Sequence, residues 1–133
     1  MNTAEIRYGS DLLAIENFKT YKEDAEQGNP YNTFFYDRII SGEFSGCAKY
    51  ICDIKEFGAF VSKLKQIYDF KLDEAVLTDI GYGSSIVFKS DKRGHIKLSG
   101  KLLVLEHSLT FSFNADQTVL KPFIEMLQIW TEN

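Results

Sequence analysis

The residues best suited to acid–base or metal chemistry are two histidines, His95 directly after Gly94 and His107 beside a turn. Imidazole moves protons near neutral pH and ligates metals. No second histidine, cysteine or carboxylate stands at a ligand-like offset from either one. A histidine-based enzyme also needs a neighbouring nucleophile or carboxylate, so both read as partly exposed strand-end residues. Cys47 and Cys52 are five apart and in one strand point to opposite faces. That spacing disfavours an internal disulfide and is not a usual zinc-knuckle spacing, so the thiols read as reduced, small buried hydrophobes. Gly81-Tyr82-Gly83-Ser84-Ser85 is glycine-rich like a phosphate cradle, but Ile86-Val87-Phe88 follows where a P-loop requires lysine and a helix. It reads as a hairpin turn. No Gly-x-Ser-x-Gly is present to mark a nucleophile elbow.

Charged clusters come next. Asp73-Glu74 and the run Glu23, Asp24, Glu26 are the densest carboxylates, both in polar connections. Acidic loops steer and orient a basic partner, which makes Glu23, Asp24 and Glu26 the candidate partner-binding residues. Lys89, Lys92, Arg93, Lys97 and Lys101 gather around one hairpin, with no aromatic residues interleaved as a base-stacking platform requires. They read as a solvated face. No residue is assigned to catalysis, to a metal or to a cofactor.

The elements that must carry these residues are those of a small soluble domain. The chain has 133 residues, 44% hydrophobic and 26% charged, enough apolar surface for a packed core. It reads as one domain, 1–133, without repeat or linker. A formal net charge of −4 disfavours direct nucleic-acid binding and favours a basic partner. The N-terminal residues show no secretory signal, and no run approaches the roughly 20 apolar residues of a membrane span. With reduced thiols, this predicts a cytoplasmic protein without a membrane partner.

Strands are expected at about 4–8, 12–22, 32–40, 43–52, 75–80, 84–89, 94–104 and 109–113, with an exposed loop over 22–30. Two amphipathic helices are expected. The first, about 54–69, is capped by Asp53 and has Phe57, Phe60, Val61, Leu64, Ile67 and Tyr68 as one apolar stripe. The second, about 119–131, has Thr118 favoured over Asp116 as its cap and Pro122 in its first turn. The fold class is α+β, a curved antiparallel sheet of about seven or eight strands in meander order with two packed helices. Phe57, Phe60, Phe111, Phe113 and Phe123 read as core.

Several of these residues carry a resemblance. Phe44-Ser45-Gly46, Asp53-Ile54 with Phe57 and Leu64, Ala75-x-Leu77, Gly94-His95-Ile96, Leu109-x-Phe111-x-Phe113 and Asp116-Gln117-Thr118 with Leu120 and Phe123 resemble the WapI-type immunity proteins over about residues 43–128. Asp73-Glu74 departs from that pattern, which tends to have glycine before the Ala-x-Leu strand. The resemblance implies a non-enzymatic protein that binds and neutralises the toxic domain of a bacterial polymorphic toxin, often a nuclease, inside the producing cell. The matched residues look structural, so none is carried over as binding. Two other readings remain. One is a small-ligand-binding or enzymatic α+β domain with a cavity between sheet and helices, motivated by Tyr31, Tyr36, Tyr50 and Tyr82. The other is a subunit of a homo-oligomer.

Overall fold

The computed structural model describes residues 3–132. Strands β1 (Thr3–Tyr8) and β2 (Asp11–Thr20), a one-turn helix α1 (Lys22–Glu26), strands β3 (Thr33–Ser41) and β4 (Phe44–Cys52) and helix α2 (Ile54–Tyr68) form the first half. Strands β5 (Glu74–Thr78), β6 (Ser85–Ser90), β7 (His95–Val104) and β8 (His107–Asp116), a 3-10 turn Gln117–Val119 and helix α3 (Leu120–Thr131) form the second. The α+β class holds, as do the eight antiparallel strands in meander order and both long helices. The strands divide into two four-stranded sheets, β1-β2-β3-β4 and β5-β6-β7-β8.

The halves are a repeat, contrary to the sequence reading. From Thr33 to Tyr68 and from Ile96 to Thr131, equivalent positions are displaced by a constant 63 residues. The hairpin-closing pair Ser41–Phe44 thus corresponds to Val104–His107. The buried stripe Phe57, Phe60, Val61, Leu64 corresponds to Leu120, Phe123, Ile124, Leu127. Only Glu43, Ser45, Asp53, Phe60 and Leu64 recur as identical residues, at Glu106, Ser108, Asp116, Phe123 and Leu127. The repeat lives in face and register, which many side chains satisfy, and therefore leaves little trace in residue identity.

Each helix crosses to the other half. α2 packs on β5, α3 packs on β1, and the helices pack on each other, so both sheets share one continuous core. The sheets meet at their ends. Tyr8 Oη donates to Asp116 Oδ2 at 3.4 Å, and Ser41 Oγ donates to the Ser112 carbonyl at 3.3 Å. β8 therefore lies across the hairpin ends of the first sheet. Gly46 marks the closest approach, where a Cβ would stand 2.7 Å from the Leu109 side chain.

A row of rings fills the space between sheets and helices. Phe18 meets Phe57 at 4.8 Å between centroids, Phe57 meets Phe60 at 6.4 Å, Phe60 meets Phe88 at 5.8 Å and Phe88 meets Phe123 at 6.0 Å. Rings at such separations attract each other as well as excluding water. They occupy the place where a sheet–helix cavity would open. Phe57, Phe60, Phe111, Phe113 and Phe123 are all buried.

Three local expectations change. Residues 22–26 wind into α1 and end at Gly28, whose φ is +80°. β8 runs further in both directions than 109–113, pairing with β7 from His107 opposite Val104 to Asp116 opposite His95, with Asn114 outward between the buried Phe113 and Ala115. Thr118 does not cap the last helix. The Gln117 N–H still bonds the Gly94 carbonyl and its side-chain amide donates to the Tyr68 carbonyl at 2.7 Å. The chain then tightens into a 3-10 turn, and α3 starts after Val119 with no side-chain cap. Asp53 caps α2 as expected, accepting from the Lys55 N–H at 3.0 Å. No helix among the described residues is long and apolar enough to cross a membrane.

Candidate functional site

His95 opens β7, and its Nδ1 lies 2.9 Å from Asp91 Oδ2, four residues upstream in the β6–β7 turn. The sequence reading found no carboxylate partner for it; the β6–β7 turn folds Asp91, four residues upstream, back onto the ring. The His95 hydrogen bond, followed by that of the Arg93 amide, holds the Asp91 carboxyl below its usual range. Both side chains are well exposed. His107 opens β8 and lines a groove described below. Among the described residues, no three His, Cys, Asp or Glu side chains are grouped to hold a metal ion.

The two thiols stand on opposite faces of β4. Cys47 is exposed, against the expectation of burial, and Cys52 is buried. Cys47 falls on the solvent side because the inner face is taken by Gly46, Ala48, Tyr50 and Cys52. Burial pushes the Cys52 thiol up to about 12, with Asp79 adding to the shift.

Gly81-Tyr82-Gly83 is a turn wrapped around a buried carboxylate, not a phosphate cradle. Asp79 accepts from the N–H groups of Ile51 (2.7 Å), Gly81 (3.0 Å) and Tyr82 (2.7 Å). It thereby pins the β5–β6 connection to the free edge of β4, where the Ile80 N–H also bonds the Ile51 carbonyl. Bonds to an ionised acceptor are worth about 1.5–3 kcal/mol each. Replacing Asp79 with Ala is expected to cost about 3 kcal/mol or more. Urea midpoints measure that loss, and amide exchange of Ile51, Gly81 and Tyr82 shows whether it originates at this turn.

Glu23, Asp24 and Glu26 sit on α1, with Glu23 and Glu26 exposed and Asp24 half-buried. α1 lies at the end of the first sheet opposite to its two hairpin turns. The basic cluster divides. Lys89, Lys97 and Lys101 project from the outer face of the second sheet, with Lys89 directly opposite Lys97, while Lys92 and Arg93 belong to the turn. Glu74 lies 3.5 Å from Lys89, partly offsetting the repulsion between facing like charges. The neighbours of these lysines across the strands are Ser85, Asn114 and Thr110, so this face has no aromatic platform.

The outer face of the first sheet has one. Tyr36 is exposed and stands opposite Lys49, whose Nζ lies 5.0 Å from the Phe34 ring centre. Lys19 lies 5.0 Å from the Tyr21 ring centre, and Arg38 pairs with Glu16 at 3.1 Å. The sequence analysis missed this arrangement because its members come from three strands and one connection.

A surface groove of about 310 Å3 opens where the two hairpins meet, lined by Gly46, Cys47, Leu102, Val104, His107 and Leu109 among others. Phe44 precedes Gly46 by two residues, and Leu105 lies between Val104 and His107. These are the most exposed large hydrophobes described, at 71% and 73%. Glu43 and Glu106, at equivalent positions of the two hairpin turns, are exposed and form no described ion pair. Function could not be read at these turns from sequence alone, because a lone exposed Phe or Leu means little until topology joins them.

Architecture thus defines the class of protein: an α+β chain of two ββββα halves, each helix packed on the other half's first strand. Among solved structures, the crystal structures of Trypanosoma brucei MRP1/MRP2 share this fold. The match has a TM-score of 0.52 and 8% identity, covering 98% of this chain and 84% of that one. No protein-family profile matches the sequence, and no curated protein matches it.

Proposed function

We propose that this chain is an immunity protein, a non-enzymatic inhibitor that binds the toxic domain of a bacterial polymorphic toxin inside the cell that makes it. The observation that carries this reading is the exposed apolar surface of the two hairpin turns, Phe44 and Leu105 beside Glu43 and Glu106. Large apolar side chains left exposed beside charged ones are features of protein-binding surfaces. The motif resemblance to WapI-type immunity proteins supports the same role. Glu23, Asp24 and Glu26 on α1 contribute at a distance, drawing a basic toxin surface towards an acidic chain.

The test is co-expression with the toxin domain encoded beside this gene. Rescue of growth and a co-purifying complex are expected. Glu23→Lys with Glu26→Lys should slow association severalfold at low salt while leaving dissociation nearly unchanged. A second reading rests on Tyr36, Phe34 and Lys49: a platform on which single-stranded nucleic acid could stack. Tight oligonucleotide binding that is lost in Tyr36→Ala, without any complex with the toxin domain, would replace the first reading by the second.

A further inference from the structure

We propose that the groove between the two hairpins is the anchoring site for the partner, and that it receives an apolar side chain flanked by lysine or arginine on the partner's surface. This rests on the reading of the chain as a toxin-binding protein and names the contact that holds the complex. Three observations converge on it.

The first is shape. Leu109 and Leu102 pack directly on Gly46, and the three together form one wall of the groove. A Cβ at Gly46 would stand 2.7 Å from the Leu109 side chain and 3.1 Å from Leu102, so any larger residue displaces that wall. At about 310 Å3 the groove sits at the lower limit of small-molecule sites, roughly 300–1,000 Å3, and suits a side-chain anchor better than a drug-sized ligand. The second is the rim. Phe44, two residues before Gly46, and Leu105, between Val104 and His107, are the most exposed large hydrophobes described, one at each hairpin turn and close in sequence to residues that line the groove. Aromatic and aliphatic anchors beside a pocket are where binding energy concentrates.

The third is charge. Glu43 and Glu106 recur at the same register of the repeat, one on each hairpin. The cations nearest in register are Arg38, already paired with Glu16, and Lys101, opposite Thr110 on the outer face. Two uncompensated carboxylates flanking an apolar groove favour a basic partner and disfavour an acidic one.

Phe44→Ala and Leu105→Ala remove exposed side chains, so the fold should survive in both, and urea midpoints verify it. With the purified toxin domain as probe, the double variant is expected to raise Kd at least tenfold, through faster dissociation. Glu43→Lys with Glu106→Lys should weaken binding by a similar factor and abolish most of its salt dependence. Gly46→Val, which pushes Leu109 and Leu102 out of the groove wall, should weaken binding without removing Phe44 or Leu105. Variants that all bind within twofold of the parent chain overturn the groove assignment and leave the immunity reading standing. Failure of the parent chain itself to bind the toxin domain overturns both.

Discussion

Raising the pH from 5 to 8 is expected to destabilise this protein, and replacing Asp37 with Asn is expected to abolish most of that loss. Asp37 lies in the middle of β3 on the inner face, opposite Ile15 and Ala48 and flanked by Phe35 and Ile39. It is fully buried, and neither carboxyl oxygen has a hydrogen-bond partner among the described residues. The hydroxyl of Tyr50, also on the inner face, is likewise unpartnered. Burial pushes the Asp37 carboxyl up to about 8 from an ordinary value near 3.8. Burial, reinforced by Asp37, also pushes the Tyr50 phenol up.

The sign follows from proton binding. The folded chain keeps its Asp37 proton up to about pH 8, whereas the unfolded chain releases it near pH 4. Between these values the unfolded state binds fewer protons, so stability falls as pH rises, by about 1.4 kcal/mol per pH unit at most. Across the whole interval this amounts to roughly 5 kcal/mol, a large share of the 5–15 kcal/mol typical of a domain. Asn keeps the shape and cannot ionise. Asp37→Asn should therefore come closest to the parent chain below about pH 4 and exceed it by several kcal/mol at pH 8, read as a shift in the urea midpoint. Asp53 works in the opposite direction. Its carboxyl is held low, first by the Lys55 amide and then by Asn32, so its contribution is lost as pH falls below about 4. Comparing the variant with its parent at each pH removes that background. A parent stability that is flat between pH 5 and 8 would sink the assignment.

How much of this was legible beforehand depends on the distance over which each signal acts. The stripe Phe57, Phe60, Val61, Leu64, Ile67 repeats within one helix and predicted α2 nearly to its ends. Asp53 was readable as a cap because its partner, the Lys55 amide, is two residues away. What stayed hidden is what the two halves make together. The packing demand at Gly46 is invisible until Leu109, from the other sheet, is seen against it. Gly46 and Leu109 are 63 positions apart in the chain and line one groove only because β8 crosses the first sheet's hairpin ends. The acidic run at Glu23–Glu26 stood out in the sequence because its charges are adjacent, yet the topology places it away from that groove. Asp37 could not be read as buried and ionisable, since Tyr36-Asp37-Arg38 looks like a polar stretch of strand.

Gly100→Ala is expected to be as severe as the Asp37 effect, in the opposite direction and at the equivalent register position of the other half. Gly100 stands in β7 opposite Ile86 and Phe111, on the face that is otherwise Ile96, Leu98 and Leu102. Its φ is +151°, and an added Cβ would stand 2.0 Å from the Ser85 carbonyl oxygen and 2.9 Å from its carbon. Backbone atoms held in a four-stranded ladder cannot step aside as a side-chain end can, so the strand pairing itself must open. The expected cost is at least about 3 kcal/mol, combining a strained backbone with lost pairing. Gly58, on α2, is the internal control. Nothing lies within 4 Å of a Cβ there, and alanine in a helix is better than glycine by roughly 0.5–1 kcal/mol. The same chemical change should therefore destabilise at residue 100 and stabilise at residue 58, which separates a steric requirement of β7 from a general intolerance of the fold to glycine replacement. Amide exchange locates the damage. Val87, Ser99 and Phe111, around Gly100 in the second sheet, should lose protection in Gly100→Ala before Ile15 and Ile39 in the first sheet do. If all five amides lose protection together, the two halves unfold as one unit through their exchanged helices, and the strain at Gly100 is borne by the whole core and not by one sheet.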